Sequence, residues 1–83
     1  MKHYTYRTSG TCSRLIDFDL DEQGCLHNVR FLGGCNGNLQ GIGRLVEGKP
    51  AADIAPLLSG VRCGSKETSC PDQLARAIAE ALG

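Results

Sequence analysis

Alternating apolar and polar residues on either side of a short turn sequence most constrain how this chain can fold. Within residues 13–20, Ile16 and Phe18 alternate with Asp17 and Asp19. A period of two residues is typical of a β-strand that buries one face. The polar run at residues 21–24 ends in a glycine, which favours a tight turn. We therefore expect residues 13–32 to form an antiparallel hairpin.

The strand after this turn opens with a cysteine. Alternation in residues 25–32 places Cys25 in phase with Val29 and Phe31, so we expect Cys25 to be a core residue. His27 shares that face and is expected to be hydrogen-bonded and structural, not a ligand. Residues 2–8 predict a further short strand. The first part of the chain thus predicts a small antiparallel sheet of about three strands.

A first helix is indicated by apolar residues at helical spacing before a glycine stop: Leu39, Ile42, Leu45 and Val46. Gly41 and Gly43 lie inside this helix, where each glycine costs roughly 1 kcal/mol relative to alanine. We expect both glycines to allow the close approach of another backbone.

Two more helical patterns follow. Residues 51–58 predict a short helix, and residues 71–82 predict a final helix with Leu74, Ile78 and Leu82 facing the core. A sheet followed by two to three helices is an α+β domain. With 83 residues, the chain is expected to form a single domain over residues 1–83.

The composition excludes several classes of function. Nine basic and nine acidic residues give a net charge of zero, and only four residues are aromatic, so we expect no nucleic-acid surface. The chain has no apolar run long enough to span a membrane, and its N-terminus does not resemble a signal peptide. Five cysteines in such a chain are expected to be reduced thiols in the cytoplasm.

Four of the five cysteines fall in predicted loops or at predicted helix starts: Cys12, Cys35, Cys63 and Cys70. Four thiolates can hold zinc in a closed tetrahedral site, and iron is an alternative. Six residues separate Cys63 from Cys70, which is wider than the cysteine pair of a zinc ribbon. Two other interpretations remain open: a redox dithiol of Cys63 and Cys70, and cysteines that serve only as small buried residues.

The positions of two of these cysteines favour thiolate chemistry. Cys35 precedes the first helix and Cys70 opens the last, and a helix N-terminus lowers the pKa of a thiol. Around Cys70, Ser69 or Cys70 itself can be the N-cap, Pro71 suits the first turn, and Asp72 suits the positive end of the helix dipole. The glycine-rich segment before the first helix could also bind phosphate through Gly34, Asn36 and Gly37, although it matches no standard phosphate-loop pattern.

Residues 68–72 read Thr-Ser-Cys-Pro-Asp, the signature of the TSCPD domain family, which the chain resembles over nearly its whole length. The resemblance also covers residues 12–14, 33–41, 46–48 and 62–64. In that family the domain occurs as small proteins and as a C-terminal extension of adenosylcobalamin-dependent ribonucleotide reductases. The resemblance implies an accessory role in deoxynucleotide synthesis, since 83 residues are too few for the catalytic subunit. Whether the chain is itself an enzyme stays open.

The chain is also similar, more weakly, to iron–sulfur cluster scaffolds of the NifU/IscU type. Cys12, Cys35 and Cys70 fall at the three corresponding places, which implies an IscU-like fold. Arg14 stands where the scaffolds have aspartate, Ser69 stands where they have histidine, and Cys63 has no counterpart. These differences favour a four-thiolate zinc site over an exchangeable iron–sulfur cluster.

The leading hypothesis is therefore a metal-binding accessory module that acts with ribonucleotide reductase. The alternatives are a thiol redox carrier that uses Cys63 and Cys70, and an iron–sulfur cluster scaffold or carrier. The expected partner is ribonucleotide reductase or another redox or metal-trafficking protein.

Overall fold

The computed structural model describes residues 1–8, 13–33, 36–61 and 68–83. Three strands come first and three helices follow, which confirms the α+β class. The strands are β1 (Lys2–Arg7), β2 (Ser13–Leu20) and β3 (Leu26–Gly33), and the helices are α1 (Asn36–Val46), α2 (Ala51–Leu58) and α3 (Cys70–Leu82). None of the described helices is long and apolar enough to cross a membrane.

The strands form one antiparallel sheet in the order β1-β2-β3, as the hairpin pattern predicts. At one end of the sheet Lys2 pairs with Leu20, and at the other end Ser13 pairs with Gly33. In the β2–β3 turn, Gly24 has a φ of 80°, a conformation that glycine adopts without steric cost. The Asp21 carboxylate supports this turn because it accepts hydrogen bonds from the backbone N–H groups of Gln23 and Cys25.

A β-bulge in β3 changes which residues face the core. Asp17 pairs with Arg30 but Asp19 pairs with His27, so β3 has one residue more than β2 between these pairs. Asn28, at this bulge, has a φ of 55°. The extra residue shifts the alternation by one position. Leu26 is therefore fully buried.

The prediction that Cys25 is a core residue is wrong for the same reason. Cys25 lies just before β3, forms an isolated β-bridge with Pro50, and is only partly buried. Val29 and Phe31, which were expected on the same face as Cys25, pack against the core on the other side of the bulge.

The close approach predicted for the helix glycines holds for one of them. A Cβ atom built at Gly43 would lie 2.9 Å from the carbonyl oxygen of Val29, so α1 contacts the backbone of β3 there. No atom of the neighbouring described elements lies within 4 Å of such an atom at Gly41, and the same expectation is wrong for it. Leu39 and Val46 bury their side chains, whereas Leu45, which the helical spacing places in the core, is 76% exposed.

The core lies between the sheet and the helices. Its buried members come from β2, β3, the end of α1, the start of α2 and one face of α3: Ile16, Phe18, Leu20, Leu26, Val46, Ala51, Leu74, Ala77 and Ile78. Leu82, expected to continue this face of α3, is 50% exposed because it lies in the last turn, past the buried residues.

Candidate functional site

Helix α3 begins with the cap that the sequence predicts. Ser69 is the N-cap, with extended backbone angles, and its Oγ accepts a hydrogen bond from the Asp72 N–H at 3.1 Å. The same hydroxyl donates to the carbonyl oxygen of Val61 at 2.5 Å. Cys70 follows as the first residue of the helix and is partly buried. Proline in the next position suits the first turn because its missing N–H has no partner there.

Asp72 is the centre of a buried polar network at this helix start. Its side chain is 5% exposed and accepts hydrogen bonds from the Thr68 hydroxyl and, at 2.7 Å, from the backbone N–H of Gly60. Arg76, one turn later, places its Nε 3.2 Å from the carboxylate. The Thr68 hydroxyl above all, followed by the Gly60 N–H, holds the pKa of Asp72 below its usual value, against the opposing effect of burial.

Gln73 completes the network. It is 1% exposed, and its Nε2 donates to the Thr68 hydroxyl at 2.9 Å. Together these contacts tie the beginning of α3 to the segment after α2. The hydrogen bond from Ser69 to Val61 holds these two residues, eight positions apart, close together. Cys63 is two positions after Val61 in the sequence, and Cys70 directly follows Ser69.

A second pair of contacts between distant chain positions lies at one end of the sheet. The N–H of Thr8 donates to the Arg14 carbonyl oxygen at 3.1 Å, and Ser13 pairs with Gly33. Cys12 directly precedes Ser13, and Cys35 comes two positions after Gly33. The β2–β3 pairing therefore brings the chain positions next to these two cysteines together.

Helix α3 points from this end of the sheet toward the other. Its last residues, Ala81 and Leu82, line a cleft with Lys2 and Leu20, the residues paired at the far end. Ala77 lies one turn earlier and lines a groove with Tyr6, which is farther along β1 than Lys2. An α-helix rises about 1.5 Å per residue. The turns of α3 before Ala77 therefore run toward the end of the sheet where β2 begins, and Cys70 lies at the start of these turns.

Three of the four predicted metal ligands, Cys12, Cys35 and Cys63, lie outside the described residues, so the predicted tetrad stays a prediction. Among residues 1–8, 13–33, 36–61 and 68–83, no group of three or more histidine, cysteine or acidic side chains could hold a metal ion. Of the predicted phosphate site, Gly34 is outside the described residues, while Asn36 and Gly37 form the first turn of α1.

Cys25 is far from the end of the sheet at which Ser13 pairs with Gly33. It precedes β3, whereas Gly33 ends that strand, so the length of the strand separates Cys25 from the positions beside Cys12 and Cys35. An eight-residue strand spans about 25 Å.

A second polar cluster, which the sequence analysis missed, surrounds His27. Its Nε2 lies 2.8 Å from Asp21 Oδ2 in the β2–β3 turn, and its Nδ1 lies 2.7 Å from Glu47 Oε2 just after α1. The other oxygen of Glu47 accepts the Asn28 N–H at 2.8 Å. The prediction that His27 is hydrogen-bonded is confirmed. Its partner Glu47 is 20 positions away in the chain and gives no local signal in the sequence.

These features define a small α+β domain whose last helix starts at a cysteine fixed by a buried polar network. The family model of the TSCPD domain matches residues 2–82, and the chain belongs to this family. The TSCPD domain is linked to ribonucleotide reductases. Searches of the curated proteins and of the solved structures give no match.

Proposed function

We propose that this chain is a metal-binding accessory module that acts with ribonucleotide reductase in deoxynucleotide synthesis in the cytoplasm. The metal is zinc, and its ligands are the thiolates of Cys12, Cys35, Cys63 and Cys70. A closed site of four thiolates is structural, because zinc then has no open position for a substrate or water. Zinc bound in this way contributes its binding free energy to folding.

One observation supports the proposal: two contacts join residues that lie next to, or two positions from, the four cysteines in the sequence. The Ser13–Gly33 pair flanks Cys12 and Cys35, and the Ser69–Val61 hydrogen bond flanks Cys63 and Cys70. The start of α3 lies toward the end of the sheet where Ser13 pairs with Gly33, which supports a single site for both pairs of cysteines.

The start of α3 also fits a metal ligand chemically. Zinc binds cysteine as the thiolate, and the N-terminus of a helix stabilises a negative charge through its dipole and its unpaired N–H groups. The polar network of Thr68, Ser69 and Asp72 fixes this turn through side chains that are not among the proposed metal ligands. A ligand held in this way loses little conformational freedom on coordination.

The role beside ribonucleotide reductase rests on membership of the TSCPD family. We expect the purified chain to bind a reductase, and the Cys70→Ser variant to bind it less tightly if the metal site shapes the interface. Size-exclusion chromatography of the mixed proteins measures this binding. Failure of the wild-type chain to bind any reductase from its own source would contradict the partner but not the metal site.

Elemental analysis tests the metal site directly. Protein purified without oxygen should contain one zinc per chain, and X-ray absorption should show sulfur neighbours around it. Replacing any one of the four cysteines by serine should reduce the zinc content, whereas Cys25→Ser should not. Mainly nitrogen or oxygen neighbours, or a metal-free protein of full stability, would overturn the proposal. If iron is found instead of zinc, as a single ion or a cluster, the result would support the four-cysteine ligand set but contradict the proposed metal.

The second candidate function is a thiol redox carrier. It is favoured by the Ser69–Val61 hydrogen bond, because this contact joins two residues that lie near Cys63 and Cys70 in the sequence and does not involve the sheet. In this function the two thiols lose two electrons and two protons to a disulfide acceptor and form one disulfide bond. A protein that folds without metal and cycles reversibly between dithiol and disulfide would support it.

A further inference from the structure

The protonation state of His27 follows from its two contacts. Both ring nitrogens lie within hydrogen-bond distance of carboxylate oxygens, one from Asp21 and one from Glu47. An ionised carboxylate only accepts hydrogen bonds, and a neutral imidazole has only one N–H to donate. Both contacts are therefore hydrogen bonds only when the ring carries both protons and is positively charged. A neutral ring would face one carboxylate oxygen with a lone pair.

We propose that Asp21, His27 and Glu47 form a pH-operated clamp that fastens the end of α1 to the sheet and opens when His27 loses a proton. The three residues belong to the β2–β3 turn, to β3 and to the residue after α1. The clamp therefore joins the end of α1 to the β2–β3 hairpin, in which His27 lies 20 positions earlier in the chain than Glu47. This inference does not depend on the proposed metal site.

Glu47 is the carboxylate that leaves when the clamp opens. Asp21 is held in place by two further hydrogen bonds, from the backbone N–H groups of Gln23 and Cys25. Its side chain is 23% exposed, whereas that of Glu47 is 48% exposed and can be hydrated at less cost. A neutral His27 keeps its one proton on Nε2 and its bond to Asp21, and the contact between Nδ1 and Glu47 is lost.

Opening of the clamp also affects the bulge in β3. Glu47 Oε1 accepts the backbone N–H of Asn28, the residue with positive φ. When Glu47 loses its bond to His27, this second bond is weakened, because the two oxygens belong to one carboxylate. The adjacent contact between Gly43 and the Val29 carbonyl lies on the same side of the sheet and depends on the same attachment of α1.

The other charged groups around the clamp belong to the sheet and to α1. Asp19 is the cross-strand partner of His27, and its carboxylate bonds to the His3 ring at 2.7 Å and to the Asn28 side chain at 3.1 Å. Its negative charge opposes ionisation of Glu47. Arg44 lines the cleft between α1 and β3 together with Glu47.

The pH range over which the clamp is closed follows from the pKa shifts of its three side chains. Hydrogen bonds to Asp21 first and to Glu47 second hold the pKa of His27 above its usual 6.5. Bonds from His27 and from the Cys25 N–H lower the pKa of Asp21, and bonds from the Asn28 N–H and from His27 lower that of Glu47. The clamp is therefore closed at mildly acid pH and stays closed to a higher pH than an unperturbed histidine would allow. It opens as the pH rises through the raised pKa of His27, or as it falls far enough to protonate the carboxylates.

Nuclear magnetic resonance of the full chain, as purified with any bound metal, tests the clamp. The chain has two histidines, so a His3→Gln variant assigns the ring signals. We expect His27 to titrate with a midpoint above 6.5, and the amide signal of Asn28 to shift with the same midpoint. A His27 midpoint at or below that value, or an Asn28 amide that does not follow it, would overturn the proposal.

Charge-neutral variants separate the clamp from a general effect of acidic residues. Glu47→Gln should lower the His27 midpoint and remove the coupled shift of Asn28. Asp21→Asn should lower the midpoint further, since Asp21 makes the larger contribution. Glu22→Gln, which removes an exposed carboxylate of the same turn, should leave the midpoint unchanged. If Asp21→Asn disturbs the turn, the His27 midpoint measured in Glu47→Gln still tests the clamp. Equal midpoints in Glu47→Gln and the wild type would contradict the clamp.

Discussion

The buried carboxylate of Asp72 accepts a hydrogen bond from the backbone N–H of Gly60 and thereby ties the start of α3 to the segment after α2. Thr68 donates to the same carboxylate, and Ser69 caps the helix. Three of the five residues of the Thr-Ser-Cys-Pro-Asp signature thus have a structural task that requires no metal. Their common effect is to fix the position of Cys70, the central residue of the signature.

Removal of the Asp72 carboxylate should destabilise the protein. In Asp72→Ala, the Gly60 N–H and the Thr68 hydroxyl lose their acceptor in a buried place. A hydrogen bond to a charged group contributes about 1.5–3 kcal/mol, so the free energy of unfolding should fall by at least this amount. Urea denaturation measures the change.

Asp53→Ala is the matched control for this substitution. Asp53 is also an acidic residue in the first turn of a helix, but it is exposed. It should contribute only the favourable interaction with the helix dipole, about 0.3–1 kcal/mol. Equal effects of the two substitutions would mean that the buried network adds nothing to stability.

The two glycines inside α1 should respond oppositely to alanine. Gly43→Ala would place a methyl group 2.9 Å from the Val29 carbonyl oxygen, so α1 or β3 must shift. Overpacking of this kind costs about 1–3 kcal/mol, which exceeds the gain in helix propensity. Gly41→Ala meets no atom and should stabilise the protein by about 0.5–1 kcal/mol.

Thermal unfolding of both alanine variants beside the wild type checks this pair. The melting temperature should fall for Gly43→Ala and rise for Gly41→Ala. A rise for both would show that α1 does not depend on its close contact with β3.

The sequence predicts the order of elements well because each element has a local, periodic signal. The hairpin follows from the alternation that includes Ile16 and Phe18, and the start of α3 follows from Ser69 and Asp72. The spacing of apolar residues in a helix does not show which of them a neighbouring element will cover. Leu82 has the right period, yet it is exposed because it lies past the buried residues of α3. Leu45 is exposed although the next residue, Val46, is buried, since successive residues of a helix are turned by about 100°.

The bulge in β3 is harder to predict because its stabilising contact is remote. Asn28 adopts a positive φ and its N–H bonds to Glu47, 19 positions later. Asparagine tolerates this conformation better than most residues, which is the one available hint. A shift of one position in the strand exchanges Cys25 for Leu26 in the core. The ligand set of the candidate site, by contrast, was predicted from residue type and position, and of its members the structure describes Cys70 alone.

Replacement of Cys25 should leave the metal content unchanged. Cys25 lies before β3, beside Pro50, at the end of the strand remote from Gly33. We expect Cys25→Val to bind as much zinc as the wild type and to lose at most about 1–1.5 kcal/mol of stability, since it is a small change at a partly buried position. Elemental analysis and urea denaturation check both points. Loss of metal in this variant would mean that the proposed ligand set is wrong.

Chelation distinguishes a structural metal from a redox dithiol. If Cys63 and Cys70 hold zinc, metal binding and folding are coupled, and a chelator at neutral pH should lower the melting temperature by many degrees. Cys63→Ser and Cys70→Ser should then destabilise the protein to a similar extent, because each removes one of four ligands. A redox pair predicts instead that the protein folds without metal and that its stability does not depend on the chelator.

Thiol titration of the native protein decides between the two accounts. With metal bound, the four ligand thiols should be protected from a thiol reagent until a chelator is added, and Cys25→Val removes the fifth thiol from the count. With a redox pair, two thiols should react at once and should oxidise reversibly, with a reduction potential of about −270 to −200 mV as in thioredoxins and glutaredoxins. We expect protection, because Ser13 and Gly33, which lie near Cys12 and Cys35 in the sequence, are paired, and Val61 and Ser69, which lie near Cys63 and Cys70, are hydrogen-bonded. A dithiol of two cysteines does not require the first of these contacts.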